Sequence, residues 1–335
     1  MKKLPVGIQT FSEMRDDNYV YVDKTGLAAK LAEQYKYVFL SRPRRFGKSL
    51  FLDTLKEMFE GNKRLFAGLA AEQLYDFQQG YPVIVLSFAR GFFRTRERLA
   101  QALHEALSEN ETRLGVETAS DDTALRFDQL IRKTRGAFGK QVVVLVDEYD
   151  KPILDNMDQP EMAIAAREEL RALYSSLKAN AAHLRFVFLT GVSKFSKVSI
   201  FSGLNNLEDI SLSPQFGAVC GYTHEELQAH FAPYLAGVDM EEVRAWYDGY
   251  NFRGDNVYNP FDILLFLKND KEFSSYWFET GTPSALVRMI REKRFFLPDL
   301  TRITAGEELL NSFDIENINL VTLLFQTGYL TIKTV

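Results

Sequence analysis

Four short runs of almost uninterrupted apolar residues constrain the fold more than any other feature of this chain. They are Tyr37–Leu40 (YVFL), Val83–Phe88 (VIVLSF), Val142–Val146 (VVVLV) and Phe186–Leu189 (FVFL). A strand with one face in water alternates apolar and polar residues, whereas a strand covered on both faces does not. Helical spacing fills the intervals. Ser49–Phe59 sets Leu50, Leu52, Leu55 and Phe59 along one stripe, and Gly61 stands where a C-cap glycine belongs. Arg94–Leu114 and Met162–Asn180 read as longer helices. Strands alternating with helices in this way predict an α/β fold, a parallel sheet with helices on both faces. Such sheets bind ligands at the carboxyl ends of their strands.

After about residue 215 the pattern changes. Thr223-His224-Glu225-Glu226 reads as a capping box, and aromatic-rich helices follow, among them FDILLFL at 261–267. The final stretch, LLFQTGYLTIKTV, predicts a helix, a turn at Gly328 and a strand. A chain that stops there is expected to be truncated at its C-terminus. A length of 335 residues suits two domains with room for a small third.

Composition narrows the function. Forty basic against 45 acidic side chains give a net charge of −5, so there is no global attraction to nucleic acid or anionic membrane, only room for local patches. The single cysteine, Cys220, precludes an internal disulfide and suits a reducing cytosol. MKKLPVGIQTF carries two lysines without the apolar stretch of a signal peptide, and no apolar run approaches the ~18 residues of a membrane helix. A cytoplasmic protein with no membrane contact is expected. His104, His183, His224 and His230 are dispersed, without zinc spacing.

The chemistry concentrates in three stretches. In FLSRPRRFGKSL, Gly47-Lys48-Ser49 matches the end of the phosphate-loop pattern G-x-x-x-x-G-K-[S/T], but Arg42 stands where the first glycine should be. Such a tripeptide arises by chance in roughly one chain in six of this length, so context has to decide. Here it follows an apolar strand and opens an amphipathic helix, whose N-terminal amides attract phosphate. Lys48 would reach the β- and γ-phosphates, Ser49 would bind Mg²⁺, and Pro43 can fix the turn that glycine usually permits. The alternative is a solvated basic turn before a helix. In VVVLVDEYDKP, Asp147 ends a buried strand and would hold the metal shell, while Glu148 could polarise an attacking water. Acidic residues at strand ends can equally be there only because they reach solvent. In FVFLTGVSKFSKVS, Thr190, Ser193 and Lys194 follow the fourth strand and could sense the γ-phosphate, or form an ordinary polar loop.

Together these stretches resemble the predicted AAA-ATPase-like family of bacterial P-loop ATPases, related to STAND and archaeal-type ATPases. The matching segments are Tyr21-Val22-Asp23-Lys24-Thr25, Arg42-Pro43-Arg44-Arg45-Phe46-Gly47-Lys48-Ser49, Asp147-Glu148-Tyr149-Asp150-Lys151-Pro152 and Thr190-Gly191-Val192-Ser193-Lys194-Phe195-Ser196. Trp246-Tyr247-Asp248-Gly249-Tyr250 and Tyr258-Asn259-Pro260 complete the set. The resemblance implies that RPRRFGKS, with Leu50 behind it, is a phosphate loop with arginine in place of the first glycine. It implies an ASCE-type core with an additional strand between the phosphate loop and Asp147-Glu148. It further implies ATP and Mg²⁺ as ligands, with Ile8–Phe11 near the adenine. The implied order is a core at 1–215, a helical lid at 216–280 and a winged-helix-like region at 281–335. Family members usually continue into a PD-(D/E)xK nuclease-like domain. Neither D-x-K nor E-x-K occurs in this chain, so that module is expected only in a missing segment of the full-length protein.

Weaker signals leave alternatives open. Asp23 could pair with a phosphate-loop base while Thr25 caps the following helix. Trp246, Tyr247 and Tyr250 read as lid core. Arg244 or Arg253 could supply a lid arginine, and Arg44 and Arg45 could meet phosphate, a neighbouring subunit of an oligomer, or DNA. The leading expectation is Mg²⁺-dependent ATP hydrolysis, with Lys48, Asp147, Glu148, Ser193 and Lys194 in catalytic positions, coupled to a core–lid movement. The alternatives are a switch that holds ATP without turnover, or a nucleic-acid-binding module using Arg288, Arg291, Lys293 and Arg294.

Overall fold

In a computed structural model of the chain, each of the four apolar runs is a strand of one parallel sheet. The structure describes residues 1–195, 200–201, 204, 206–279, 303–304, 306 and 319–333. The first strands and helices are α1 (Phe11–Asp16), α2 (Thr25–Gln34), β1 (Tyr37–Ser41), α3 (Lys48–Glu60), α4 (Ala71–Leu74) and β2 (Val83–Ser87). Then come α5 (Arg96–Leu114), α6 (Thr123–Phe138), β3 (Val142–Asp147), α7 (Lys151–Leu154), α8 (Pro160–Ala179) and β4 (Leu184–Gly191). A two-residue strand, β5 (Glu208–Asp209), has no apolar run and was not legible in the sequence.

The sheet order is β2-β3-β4-β1-β5. Strand β4 therefore separates β1 from β3, as the resemblance implied. The register brings the carboxyl ends level: Leu40 faces Thr190, Val146 faces Leu189, and Ser87 faces Asp147. Side chains alternate between two buried faces. Val142, Val144 and Val146 meet Leu103 of α5, Leu130 of α6 and Leu173 of α8. Val143, Leu145 and Phe188 meet Phe51 and Leu55 of α3 and Leu31 of α2. Helix α6 begins at Asp122, whose carboxylate accepts the Leu125 N–H at 2.8 Å.

A third apolar cluster holds α9 (His224–Phe231), α10 (Met240–Tyr247), a hairpin of β6 (Tyr250–Asn251) and β7 (Asn256–Val257), and α11 (Pro260–Lys268). The capping box at Thr223 is reciprocal, with Glu226 N–H donating to the threonine hydroxyl and Thr223 N–H donating to the Glu226 carboxylate. Lys24 donates to both oxygens of that same carboxylate at 2.6 Å, tying the N-terminal segment to α9. Asp23 does not pair with a phosphate-loop base. It accepts the N–H groups of Thr25 and Ala70, each at 2.8 Å, and the Thr25 hydroxyl. Tyr247 is buried, but Trp246 is 40% exposed and no core residue. Near the C-terminus the helix Leu320–Gln326 and the left-handed turn at Gly328 form as expected, while 331–333 has no strand. Most of the winged-helix-like stretch, 281–335, and the Arg288–Arg294 cluster lie outside the described residues.

Arg42 joins the sheet to the helical segment. Its side chain is 1% exposed, with the guanidinium 3.9 Å over the Phe252 ring. One terminal nitrogen donates to Ser41 O and Ser211 O at 2.9 and 2.7 Å, the other to Phe216 O and Gly217 O at 3.1 Å. Burial pushes its pKa down to about 10, so it stays charged at neutral pH. The carbonyl at the end of β1 and three carbonyls of the 211–217 segment thus find a donor in one side chain. Arg42→Gly, which restores the glycine of the phosphate-loop pattern, is expected to lower unfolding free energy by about 3 kcal/mol or more in urea. Equal or higher stability would show the four contacts to be dispensable.

Asp262, in the first turn of α11, is 2% exposed and its Oδ1 has no partner. Burial pushes its carboxyl from the ordinary 3.8 up to about 7. The folded chain therefore keeps this proton through a range where the unfolded chain has lost it, and stability falls as pH rises from about 4 to about 7. Asp262→Asn removes the titration. Urea midpoints of variant and wild type should converge near pH 4 and separate by about pH 8, with the variant the more stable. A constant gap between the two would contradict this assignment.

Candidate functional site

Above the carboxyl ends of β1, β3 and β4 lies a cleft of about 610 Å³. Its lining includes Arg44 to Ser49, Glu148, Asp150 and Lys151, together with the apolar or aromatic Ile8, Met14, Leu50, Tyr222, Phe261 and Leu264. The loop between β1 and α3 makes two left-handed residues, Arg45 (φ 67°) and Gly47 (φ 87°). Glycine adopts that conformation freely, while Arg45 pays about 1 kcal/mol for it. No atom lies within 4 Å of where a Gly47 Cβ would stand, so that side of the backbone is open to a ligand. Phe46 anchors the loop from below, 1% exposed and edge-on to Tyr250 and Phe252 at 4.8 and 5.7 Å. Arg45 holds its guanidinium 4.8 Å over the ring of Phe261.

Lys48 is the first residue of α3, and its ammonium donates to Arg42 O and Pro43 O, each at 3.0 Å. Burial draws its pKa down, against the opposing charges of Asp147, Asp150 and Glu148. Asp147 ends β3 at 5% exposure. Its carboxyl is raised by burial, and the nearby Ser49 hydroxyl and the charge of Lys48 oppose that rise. Glu148 is raised first by burial and then by the neighbouring Asp147. Its backbone is also left-handed (φ 51°), and its N–H donates to Asp147 Oδ1 at 3.0 Å. Non-glycine residues in that region are strained by about 1–3 kcal/mol and persist only where their surroundings over-determine them.

The structure thus brings Lys48, Ser49, Asp147 and Glu148 to one place, with Pro43, Arg44, Arg45, Phe46, Gly47, Leu50 and Ile8 around them. Others of the expected residues are turned elsewhere. Arg42 enters the site through its carbonyl alone. Phe11 is fully buried against Tyr21 and Phe66 at 5.3 and 4.9 Å, so only the Ile8 end of that segment lines the cleft. Thr190 is fully buried, with its hydroxyl donating to Leu40 O at 2.9 Å. Ser193 is fully buried, and its Oγ has no hydrogen-bond partner among the described residues. Lys194 forms an ion pair with Asp209, and its N–H donates to Gln326 at 3.0 Å. Neither Arg244 nor Arg253 lines the cleft. Asp150 does, although no sequence pattern assigns it a role beyond its place in the DEYD segment. Its buried carboxyl is raised to about 6.

No solved structure matches this chain. A curated relative from Azotobacter chroococcum mcd 1, described as "Uncharacterized protein in vnfD 5'region", is 53% identical over all 335 residues. The chain spans 65% of that relative's length. The family described as predicted AAA-ATPase matches residues 5–201, which include β1 to β4 and every charged residue of the cleft. The chain belongs to the predicted AAA-ATPase family.

Proposed function

We propose that the cleft binds ATP together with Mg²⁺ and that the protein hydrolyses it. The observation that carries this reading is the seat of Lys48. A buried ammonium at a helix N-terminus rests on two loop carbonyls, next to an open glycine backbone, with Ser49 and Asp147 nearby. Phosphate oxygens are the natural ligands of such a group, together with the first amides of α3. The Ser49 hydroxyl and Asp147 carboxylate form an oxygen-only donor pair suited to a hard cation that keeps water and phosphate as its other ligands. Among the described residues no group of three or more His, Cys, Asp or Glu could hold a metal. Bound Mg²⁺ would neutralise charge on the phosphates. Glu148, a carboxylate of raised proton affinity at the cleft wall, would orient and deprotonate the attacking water. Ile8, Met14, Leu50, Tyr222 and Phe261 offer the apolar surface a purine needs.

In this reading residues 1–215 are the core and 216–280 a lid. Contacts from Arg45 to Phe261 and from Phe46 to Tyr250 cross between them at the phosphate loop. Nucleotide state would then bear on whatever follows the core, including the 281–335 region and the further length present in the relative. A cytoplasmic setting fits this role, and among the described residues no helix is long and apolar enough to cross a membrane. The second reading, a switch that holds ATP with little turnover, is favoured by one observation. Of the helical segment's candidate arginines, neither reaches the cleft.

At about 100 times its dissociation constant, Mg²⁺-ATP should stabilise the wild type by about 2.7 kcal/mol, a rise of several degrees in Tm. Lys48→Ala should abolish that rise. Glu148→Gln should keep it and lose steady-state hydrolysis by about a hundredfold or more. Unchanged hydrolysis in Glu148→Gln would remove the residue from the role of base. A wild type that binds ATP without turnover would establish the switch instead.

A further inference from the structure

We propose that Asp150 is a positioning residue. By holding the backbone amides of Val192 and Ser193, it locks the turn after β3 and so fixes where the Glu148 carboxylate stands beside the phosphate loop. The inference rests on the reading of Glu148 given above.

Strands β3 and β4 are paired as far as Val146 and Leu189. Beyond that point the two chains are joined by side chains rather than by a ladder. The Tyr149 N–H still donates to Thr190 O at 3.1 Å. The Tyr149 hydroxyl then donates to Ser193 O at 2.8 Å and accepts the Phe195 N–H at 3.2 Å. Asp150 Oδ2 accepts the N–H of Val192 at 3.0 Å and of Ser193 at 2.6 Å. Both side chains are buried, at 0% and 1% exposure.

Gly191 admits this approach. A Cβ there would stand 2.3 Å from Asp150 Oδ1 and 2.7 Å from a ring carbon of Tyr149, closer than any side chain can sit. The residue immediately before this locked pair is Glu148, in its strained left-handed conformation. A strained residue needs its neighbours held, and Tyr149 and Asp150 are held by the loop after β4. The position of Glu148 is therefore tied to Val192, itself a lining residue of the cleft. Carboxylates bonded to successive backbone amides make short, well-directed contacts, and asparagine can reproduce the acceptor though not the charge.

The test compares wild type, Asp150→Asn, Asp150→Ala and Glu148→Gln. Mg²⁺-ATP affinity, turnover per bound nucleotide, and amide hydrogen exchange over 147–151 and 190–195 are measured on each. Asp150→Ala is expected to keep affinity within about threefold, to lose turnover by about a hundredfold, and to exchange faster in both segments. Asp150→Asn should recover most of the loss, to within about tenfold of wild type. Wild-type turnover per bound nucleotide in Asp150→Ala would overturn the proposal, as would a parallel loss of affinity, which would make Asp150 a ligand contact. Failure of the hydrolysis reading is seen separately, as absent turnover in the wild type or unchanged turnover in Glu148→Gln. Exchange then decides alone: segment 147–151 as protected in Asp150→Ala as in wild type would refute the lock.

Discussion

The insertion of β4 between β1 and β3 is the constraint on which the rest of the site depends. With those two strands adjacent, the phosphate loop and Asp147 would follow neighbouring strand ends directly. With β4 between them, roughly two strand spacings separate the ends, and the chain leaving β4 must fill the gap. It does so with Gly191, Val192 and Ser193, whose backbone is bonded to the turn after β3 on one side, while Gly191 O accepts the Arg42 N–H on the other. The three strand ends form one hydrogen-bonded unit, so the geometry at Lys48 and at Glu148 is set jointly.

Within that unit Arg42, at the head of the loop between β1 and α3, takes a role that glycine could not. A glycine there serves only the curvature of the loop. Here Arg45 and Gly47 supply the left-handed residues of the turn, and the Arg42 side chain runs inward and satisfies carbonyls from 41 to 217. What remains of residue 42 in the site is its carbonyl, one of the two on which Lys48 rests. An ammonium held on carbonyls is only partly compensated, because burial continues to disfavour its charge. Anionic oxygens nearby would complete the compensation.

The four strands were legible because each is covered on both faces, and continuous apolar runs record that directly. Strand β5 was not, since two residues, Glu208 and Asp209, carry no pattern at all. Helix α6 escaped a sequence reading although Phe127, Leu130, Ile131 and Thr134 are buried at helical spacing, because basic and polar residues crowd the rest of its surface. At the site, Lys48, Ser49, Asp147 and Glu148 could be placed from spacing alone, because each is fixed by its distance from the end of an apolar run. The direction of the neighbouring side chains could not. Thr190 turns into the sheet and Lys194 turns to Asp209, outcomes set by pairing register and by residues far along the chain. Asp150 was quoted without a role for the same reason: its partners are backbone amides, which no side-chain pattern reports.

The loop between β1 and α3 also carries contacts from the segment that follows β5. Tyr250 of the hairpin meets Phe46, Phe261 of α11 lies under Arg45, and Gly328 approaches Pro43 so closely that a Cβ would stand 2.9 Å from the proline Cβ. Gln326, two residues earlier, takes the Lys194 N–H, while Leu320, Leu323 and Leu324 of the same helix are buried in the cluster on one face of the sheet. Close-packed contacts of this kind do not stretch; a displacement on one side has to be matched on the other. The loop is therefore gripped from three directions by elements distant in sequence. Its shape, and that of the chain packed around it, cannot vary independently.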